Sequence, residues 1–459
     1  MGIRSFLPDY LFWDGALRSD LALEVDEGGR VLGARTGRAA PGVERLPGRA
    51  LLPGLVNAHS HAFQRLIRGR TEFAAFRPGR DDFWSWREMM YRAASALDPE
   101  DVFVASRQAF LEMALAGITC VGEFHYLHHD PQGRQYADRN ELSLQVIRAA
   151  REIGIRIALL RAGYARSGFG TPAHLGQRRF MDASAGDVLR AAEALRTAVR
   201  SDETVSVGIA PHSVRAVTRP WLEEIAHGWK GVVHMHAAEQ PAEVESCLEE
   251  HGLRPIELAS EIGLLGARFT AVHAIHISDV EIGALGRAAA NVCACPSTER
   301  NLGDGVMPGD ALAAAGAHLA LGSDSQAAID LLEEARQLEL HLRLVRLRRA
   351  VMDPGEGDPA GLARVLLRAA TEGGARSLGL ATGGLRPGAP ADFFTVDLQH
   401  PSLVGAGGDS LLAAIVFGIG ACAVRDVYVG GRKLVDEGRH LLEEESGRAF
   451  SALARRVFG

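Results

Sequence analysis

The chain has 459 residues, 47% of them apolar and 23% charged, with a formal net charge of −7. That balance supplies a large buried core and lacks the basic excess of a nucleic-acid footprint. Arg4, Asp9 and Asp14 interrupt the start of the chain. No apolar run of about 18 residues follows, so a cytoplasmic, soluble protein without signal peptide or membrane span is expected.

Residues 1 to about 50 alternate apolar runs with turn signals, as in Leu21-Ala22-Leu23-Glu24-Val25 before Asp26-Glu27-Gly28-Gly29, and read as a small antiparallel β unit. Leu51 to Arg65, LLPGLVNAHSHAFQR, then opens a long alternation of strand and helix, the pattern of a parallel α/β architecture. The insert 62–97 contains Phe83-Trp84-Ser85-Trp86-Arg87, too aromatic for disorder and suited to a lid or pocket wall. Asp98 and Pro99 cap a helix that runs through Phe110 and Leu115 and stops at Gly117. Strands are expected at Ile118–Phe124, Ile155–Leu160, Val205–Ala210, Val232–His236, Thr270–His273, Asn291–Cys295 and Leu319–Gly322. With the first they number eight, which predicts a closed TIM-like (β/α)8 barrel over residues 53–385. A second long insert spans 163–185, and 341–349, HLRLVRLRR, reads as a solvated or subunit-facing helix side neutralised by Glu333, Glu334 and Glu339. Residues 386–459 return to strands, with Phe393-Phe394-Thr395-Val396 and Val427 to Val429, and end in a helix. Neither terminal piece builds a core alone, so 1–52 and 386–459 are expected to meet in one β sandwich.

The chemistry sits at strand ends. His59 and His61 share one strand face, His236 closes a strand with Glu239 three residues on, His273 closes another, and Asp324 follows a fourth. Side chains delivered from several strand ends are what the C-terminal face of a barrel offers. His59, His61, His236 and Asp324 suit Zn²⁺ or Fe²⁺ better than Ca²⁺ or Mg²⁺. Such an ion lowers the pKa of bound water to about 7. Asp324 can also accept the water's proton, Glu239 can pass a proton to a leaving nitrogen, and His273 can hold the attacking oxygen in line. The basic residues number 50, yet only Lys230 and Lys433 are lysines, and neither sits at a strand's C-terminal end. A two-metal site bridged by a carboxylated lysine is therefore excluded. The five cysteines, scattered from Cys120 to Cys422, form no disulfide framework, and Cys293 and Cys295 are better read as packing than as ligands.

These strand-end motifs resemble the amidohydrolase superfamily, in the mononuclear branch that deaminates amidines and aminated heterocycles. Within it, His59-Ser60-His61-Ala62-Phe63-Gln64-Arg65, Phe83 to Arg87, Gly122 to His129 and Pro211-His212-Ser213-Val214-Arg215 are similar to the deiminases of N-formimino-L-glutamate in histidine degradation. The resemblance implies one Zn²⁺ per subunit at the four ligands, Glu239 and His273 as proton-handling partners, and a homodimer. It also decides that ammonia leaves rather than formamide, which residue spacing leaves open. A dicarboxylate amidine needs anion clamps beside the metal, and Arg87 and Arg215 can reach the barrel mouth. Gln64, Tyr126 and His212 can complete the substrate's hydrogen bonds. A heterocycle deaminase using the same metal ligands is the alternative, and a metal-bearing scaffold without turnover a third reading. His125, His128 and His129 are left without a role.

Overall fold

The computed structural model describes residues 2–36, 43–73 and 83–459. Eight parallel strands pair in sequence order: Leu55–Ser60, Ile118–His125, Arg156–Gly163, Val205–Pro211, Val233–Ala237, Phe269–His273, Asn291–Ala294 and His318–Leu321. A parallel bridge between Ser60 and Asp324 joins the last strand to the first and closes the barrel. The seam is made by hydrogen bonds from Asp324 N–H to His59 O and from His61 N–H to Asp324 O, each 3.0 Å. Gly322 is required beside it, because a Cβ there would lie 2.7 Å from the His59 Cβ. Helices cover the outside of the barrel, so its strands are buried on both faces.

The helix Pro99–Leu115 shows how local sequence sets an element. Asp98 accepts from Asp101 N–H (2.9 Å) and Asp101 from Asp98 N–H (2.8 Å), a reciprocal cap, with Pro99 in the first turn. The terminal helix Glu443–Phe458 docks on it through Arg107 and Glu445 (2.9 Å) and through Ser446 Oγ, which donates to Gln108 (2.9 Å).

Both chain ends build a second sheet of nine strands. Val43–Pro53 from the start pairs antiparallel with Phe393–Asp397 from the end. Arg4–Trp13 pairs antiparallel with Ala16–Arg18 and Leu21–Val25, and Leu21–Val25 with Val31–Thr36, as expected. Arg4–Trp13 runs parallel to Val43–Pro53, however, which corrects the antiparallel expectation at that one pairing. The strands between them in sequence carry the chain back, which a parallel pairing requires. The sandwich is one continuous sheet curled over its own core. Phe6 and Tyr428 stand three strand steps apart, about 14 Å in a flat sheet, yet their ring centroids are 5.2 Å apart.

The first insert is largely helical rather than a loop, with a 3₁₀ turn at Ala62–Ile67 and an α-helix at Phe83–Ser95. Residues 74–82 and the side chains of 83–85 lie outside the described residues, so of the aromatic stretch Trp86 and Arg87 can be placed. In the helix Leu331–Arg346, Arg343 pairs with Glu339 (2.7 Å) and Arg336 with Glu333 (2.9 Å). Glu334 turns inward instead and accepts from Ser297 N–H (2.8 Å).

Asp392 ties the end sheet to the barrel. Its buried carboxylate accepts from Arg156 Nε (2.7 Å) at the start of the third strand, from Thr382 Oγ1 (2.6 Å) and from Gly430 N–H (2.7 Å). Loss of the carboxylate strands a largely buried guanidinium. Asp392→Ala is expected to cost about 3 kcal/mol or more, read as a lower urea midpoint at unchanged slope. Asp392→Asn, which keeps an acceptor, should lose less, and an unchanged midpoint for both would exclude this tie.

Candidate active site

Four buried side chains converge on the C-terminal side of the barrel: His59 from the first strand and His61 just past it, His236 from the fifth, and Asp324 beyond the eighth. Their ligand atoms all lie within 4.8 Å of one another. His236 Nε2 is 3.2 Å from His59 Nε2 and 3.3 Å from His61 Nε2, and Asp324 Oδ1 is 3.3 Å from both His59 and His61. His61 Nδ1 donates to Phe124 O (2.8 Å) and His236 Nδ1 to His212 O (2.9 Å). Neutral rings so oriented aim Nε2 lone pairs at each other, an arrangement that repels unless a cation lies between them. Zinc–nitrogen bonds of about 2.0–2.1 Å at tetrahedral angles put ligand atoms about 3.3 Å apart. The donor set therefore fits a transition-metal ion. Burial pushes His59 down to about 3, against the attraction of Asp324, and so keeps it neutral.

Glu239 and His273 stand beside this cluster. His273 Nε2 is 3.8 Å from both Glu239 Oε1 and Asp324 Oδ2. Its Nδ1 faces Glu299 Oε1 at 3.3 Å, and that oxygen also accepts from Cys295 N–H (2.8 Å). Burial works to lower His273, but Glu239, Glu299 and Asp324 outweigh it and carry the imidazole well above its ordinary value. Burial raises Glu239, against the pull of His273 and Arg215. Three strand ends here are left-handed, with φ +53° at Ala238, +70° at His273 and +45° at Asp324. Such residues persist only where the surroundings enforce them, and they cluster at functional sites.

The cavity above the cluster encloses about 530 Å³ including its open mouth. Its lining brings together His61, His236, Glu239, His273 and Asp324 with Gln64, Arg87, Tyr126, His212 and Arg215, while His59 lies behind. Gln64 Nε2 donates to Tyr126 OH (2.6 Å). The His212 ring is 4.7 Å from that of His236, and the Arg87 guanidinium is 5.5 Å from the Tyr91 ring. Burial lowers Arg87, and the charge of Arg215 adds to the effect, so the two cations sense each other.

Some residues of the site were not expected from the sequence. Glu299, Tyr91, Tyr164, Phe180 and Asp304 come from the segments after the strands. Asp304 is pushed up to about 8 by burial and then by Glu239. An acid in the first turn of the helix Pro296–Leu302, just past the seventh strand, was the one available clue to Glu299. His125, His128 and His129 do not line the cavity, and His128 faces Ala162 O (3.0 Å) and Arg161. Lys230 is exposed at the far end of its strand, and Lys433 pairs with Asp436 (2.8 Å) in the end sheet.

Residues 50–434 match the model of the Amidohydrolase family. A formimidoylglutamate deiminase of Pseudomonas aeruginosa is 42% identical over 434 residues, 94% of each chain. An 8-oxoguanine deaminase of the same organism is 31% identical, covering 90% of this chain and 89% of its own. The crystal structure of an amidohydrolase from Brucella melitensis matches with a TM-score of 0.92 at 36% identity, over 99% of this chain and 100% of that one. The family match spans the whole barrel, and the chain belongs to the amidohydrolase family of metal-dependent hydrolases.

Proposed function

We propose that this chain converts N-formimino-L-glutamate and water to N-formyl-L-glutamate and ammonia, the deiminating step of histidine degradation. The observation that carries the reading is one cavity walled by two arginines, Arg87 and Arg215, above the cluster of His59, His61, His236 and Asp324. Two guanidiniums suit the two carboxylates of this substrate, whereas an uncharged ring has no use for them. The deiminase relative, matching along nearly all of both chains, supports the same substrate. The reading includes one Zn²⁺ per subunit, with Fe²⁺ as the other ion the donors suit, and a cytoplasmic homodimer. No described helix is long and apolar enough to cross a membrane.

His59, His61, His236 and Asp324 would hold the metal, which when bound supplies a Lewis acid that makes water nucleophilic near neutral pH. Arg87 and Arg215 hold the carboxylates, while Gln64, Tyr126 and His212 orient the formimino group over the cluster. Asp324 and Glu239 between them accept both protons of the attacking water, the first as the oxygen adds and the second as the formyl C=O forms, and Glu239 returns them in turn to the terminal nitrogen. His273, backed by Glu299, donates from Nε2 to the attacking oxygen as charge builds there. The C–N bond to that terminal nitrogen breaks, ammonia leaves, and the formyl oxygen derives from water.

Arg215→Ala should lower kcat/KM for N-formimino-L-glutamate by roughly 100-fold, followed by ammonia release beside a guanine control. Activity on guanine, with none on N-formimino-L-glutamate, would replace this substrate with a ring. Glu239→Gln should lower kcat by at least about 100-fold with zinc content unchanged by mass spectrometry; retained turnover would remove Glu239 from proton transfer. Chelation should abolish ammonia release and Zn²⁺ restore it. Asp324→Ala should fail to retain stoichiometric zinc, and full retention would exclude it as a ligand.

A further inference from the structure

Gln177 lies in the insert after the third strand, is 1% exposed, and takes no part in the steps above. Its side-chain oxygen accepts from Ser167 Oγ and from His174 N–H (3.2 Å). A main-chain N–H can only donate, so this amide cannot be flipped end for end. Its nitrogen therefore faces two phenols, donating to Tyr91 OH (2.8 Å) and Tyr164 OH (2.9 Å). Both amide hydrogens are consumed, and each phenol oxygen is an acceptor. Each phenol keeps its own proton to give, and among the described residues neither proton has an acceptor. Both phenols line the cavity. Burial raises Tyr91 well above the ordinary phenol range, so its proton stays on.

The pair sits at the far end from the metal cluster. From His236 the rings step 4.7 Å to His212 and another 4.7 Å to Tyr164. Arg215 feels the Tyr164 and Tyr91 hydroxyls electrostatically, and Arg87 lies over the Tyr91 ring. Two phenol oxygens that accept from one amide nitrogen are neighbours, and both stand on the wall of the same cavity.

We propose that Tyr91 and Tyr164, aimed by Gln177, form the subsite for the side-chain carboxylate of the substrate, each donating its hydroxyl proton to that anion. The identity of the ligand rests on the proposed function; the donor geometry does not. A carboxylate presents two acceptor oxygens to the two donors. A carboxamide of the same shape turns an NH₂ toward one of them, so the subsite selects glutamate over glutamine at this end.

The test measures binding of N-formyl-L-glutamate and N-formyl-L-glutamine to zinc-loaded protein by calorimetry, with KM and kcat for N-formimino-L-glutamate alongside. Tyr91→Phe and Tyr164→Phe delete a hydroxyl and keep the ring, so packing survives. Each should weaken N-formyl-L-glutamate about tenfold and raise KM about as much, with kcat and N-formyl-L-glutamine binding held within about twofold. Equal weakening of both ligands, or no weakening of either, overturns the subsite. If the wild type releases no ammonia but the charge-dependent losses persist, the reaction assignment falls and the subsite stands. If ammonia release is intact and the losses ignore the charge, the subsite falls and the reaction stands.

Discussion

The seam between the eighth and first barrel strands is the constraint on which the site depends. The backbone atoms that close it belong to His59, His61 and Asp324, three members of the metal-capable cluster. Closing the barrel and assembling the cluster are therefore one event. A buried network fixes the register. Asn57 Nδ2 donates to Ser323 Oγ (2.7 Å), Gln326 Nε2 to Ser60 Oγ (2.8 Å), and Ser60 Oγ to Glu123 (2.6 Å). Glu123 also accepts from Ala62 N–H (2.7 Å), which pins the chain just after His61. A slip of one residue in the first strand would turn both imidazoles away from the cluster, and one in the eighth would turn Asp324 away, because side chains alternate faces.

Electrostatics impose the second constraint. Asp324, Glu239, Glu299 and Asp304 are all buried on one side of the barrel, a concentration of carboxyl groups. Burial raises Glu239 and Asp304, while at Asp324 the neighbouring histidines outweigh burial and hold it well below the usual carboxylate range. The raised proton affinities of Glu239, Asp304 and His273 express that excess. His273 and Arg215 offset part of it, and a divalent cation among the histidines would offset more. The same imbalance that attracts a metal also leaves Glu239 ready to take up and release a proton.

Much of this was legible in the sequence because strands and their ends obey short-range rules. A period of two placed His59 and His61 on one face, and each strand's apolar run announced where its C-terminal residue would emerge. Glu299, Asp304 and Gln177 were not legible, because they come from segments whose approach to the site is set by packing of the whole barrel. The parallel pairing of Ser5 with Val43 was equally hidden, since nothing local distinguishes it from an antiparallel hairpin. The helix Phe83–Ser95 was masked by aromatic residues that favour helices no more than strands.

Chemistry and recognition come from different parts of this chain. The groups proposed to hold a metal and move protons stand on strand ends, where backbone hydrogen bonds on both sides fix them. The groups proposed to read the substrate come mostly from outside the strands, among them Arg87 and Tyr91 from the first insert and Tyr164, held by Gln177, from the segment after the third strand. Gln177 spans the two inserts by bonding a tyrosine from each, so they hold one another as well as the wall. Inserts joined in this way can be remodelled together without touching the seam, because none of their hydrogen bonds to Gln177 involves a cluster residue. A barrel so built can exchange one substrate for another across a family while its strand-end groups stay where the closure of the sheet put them.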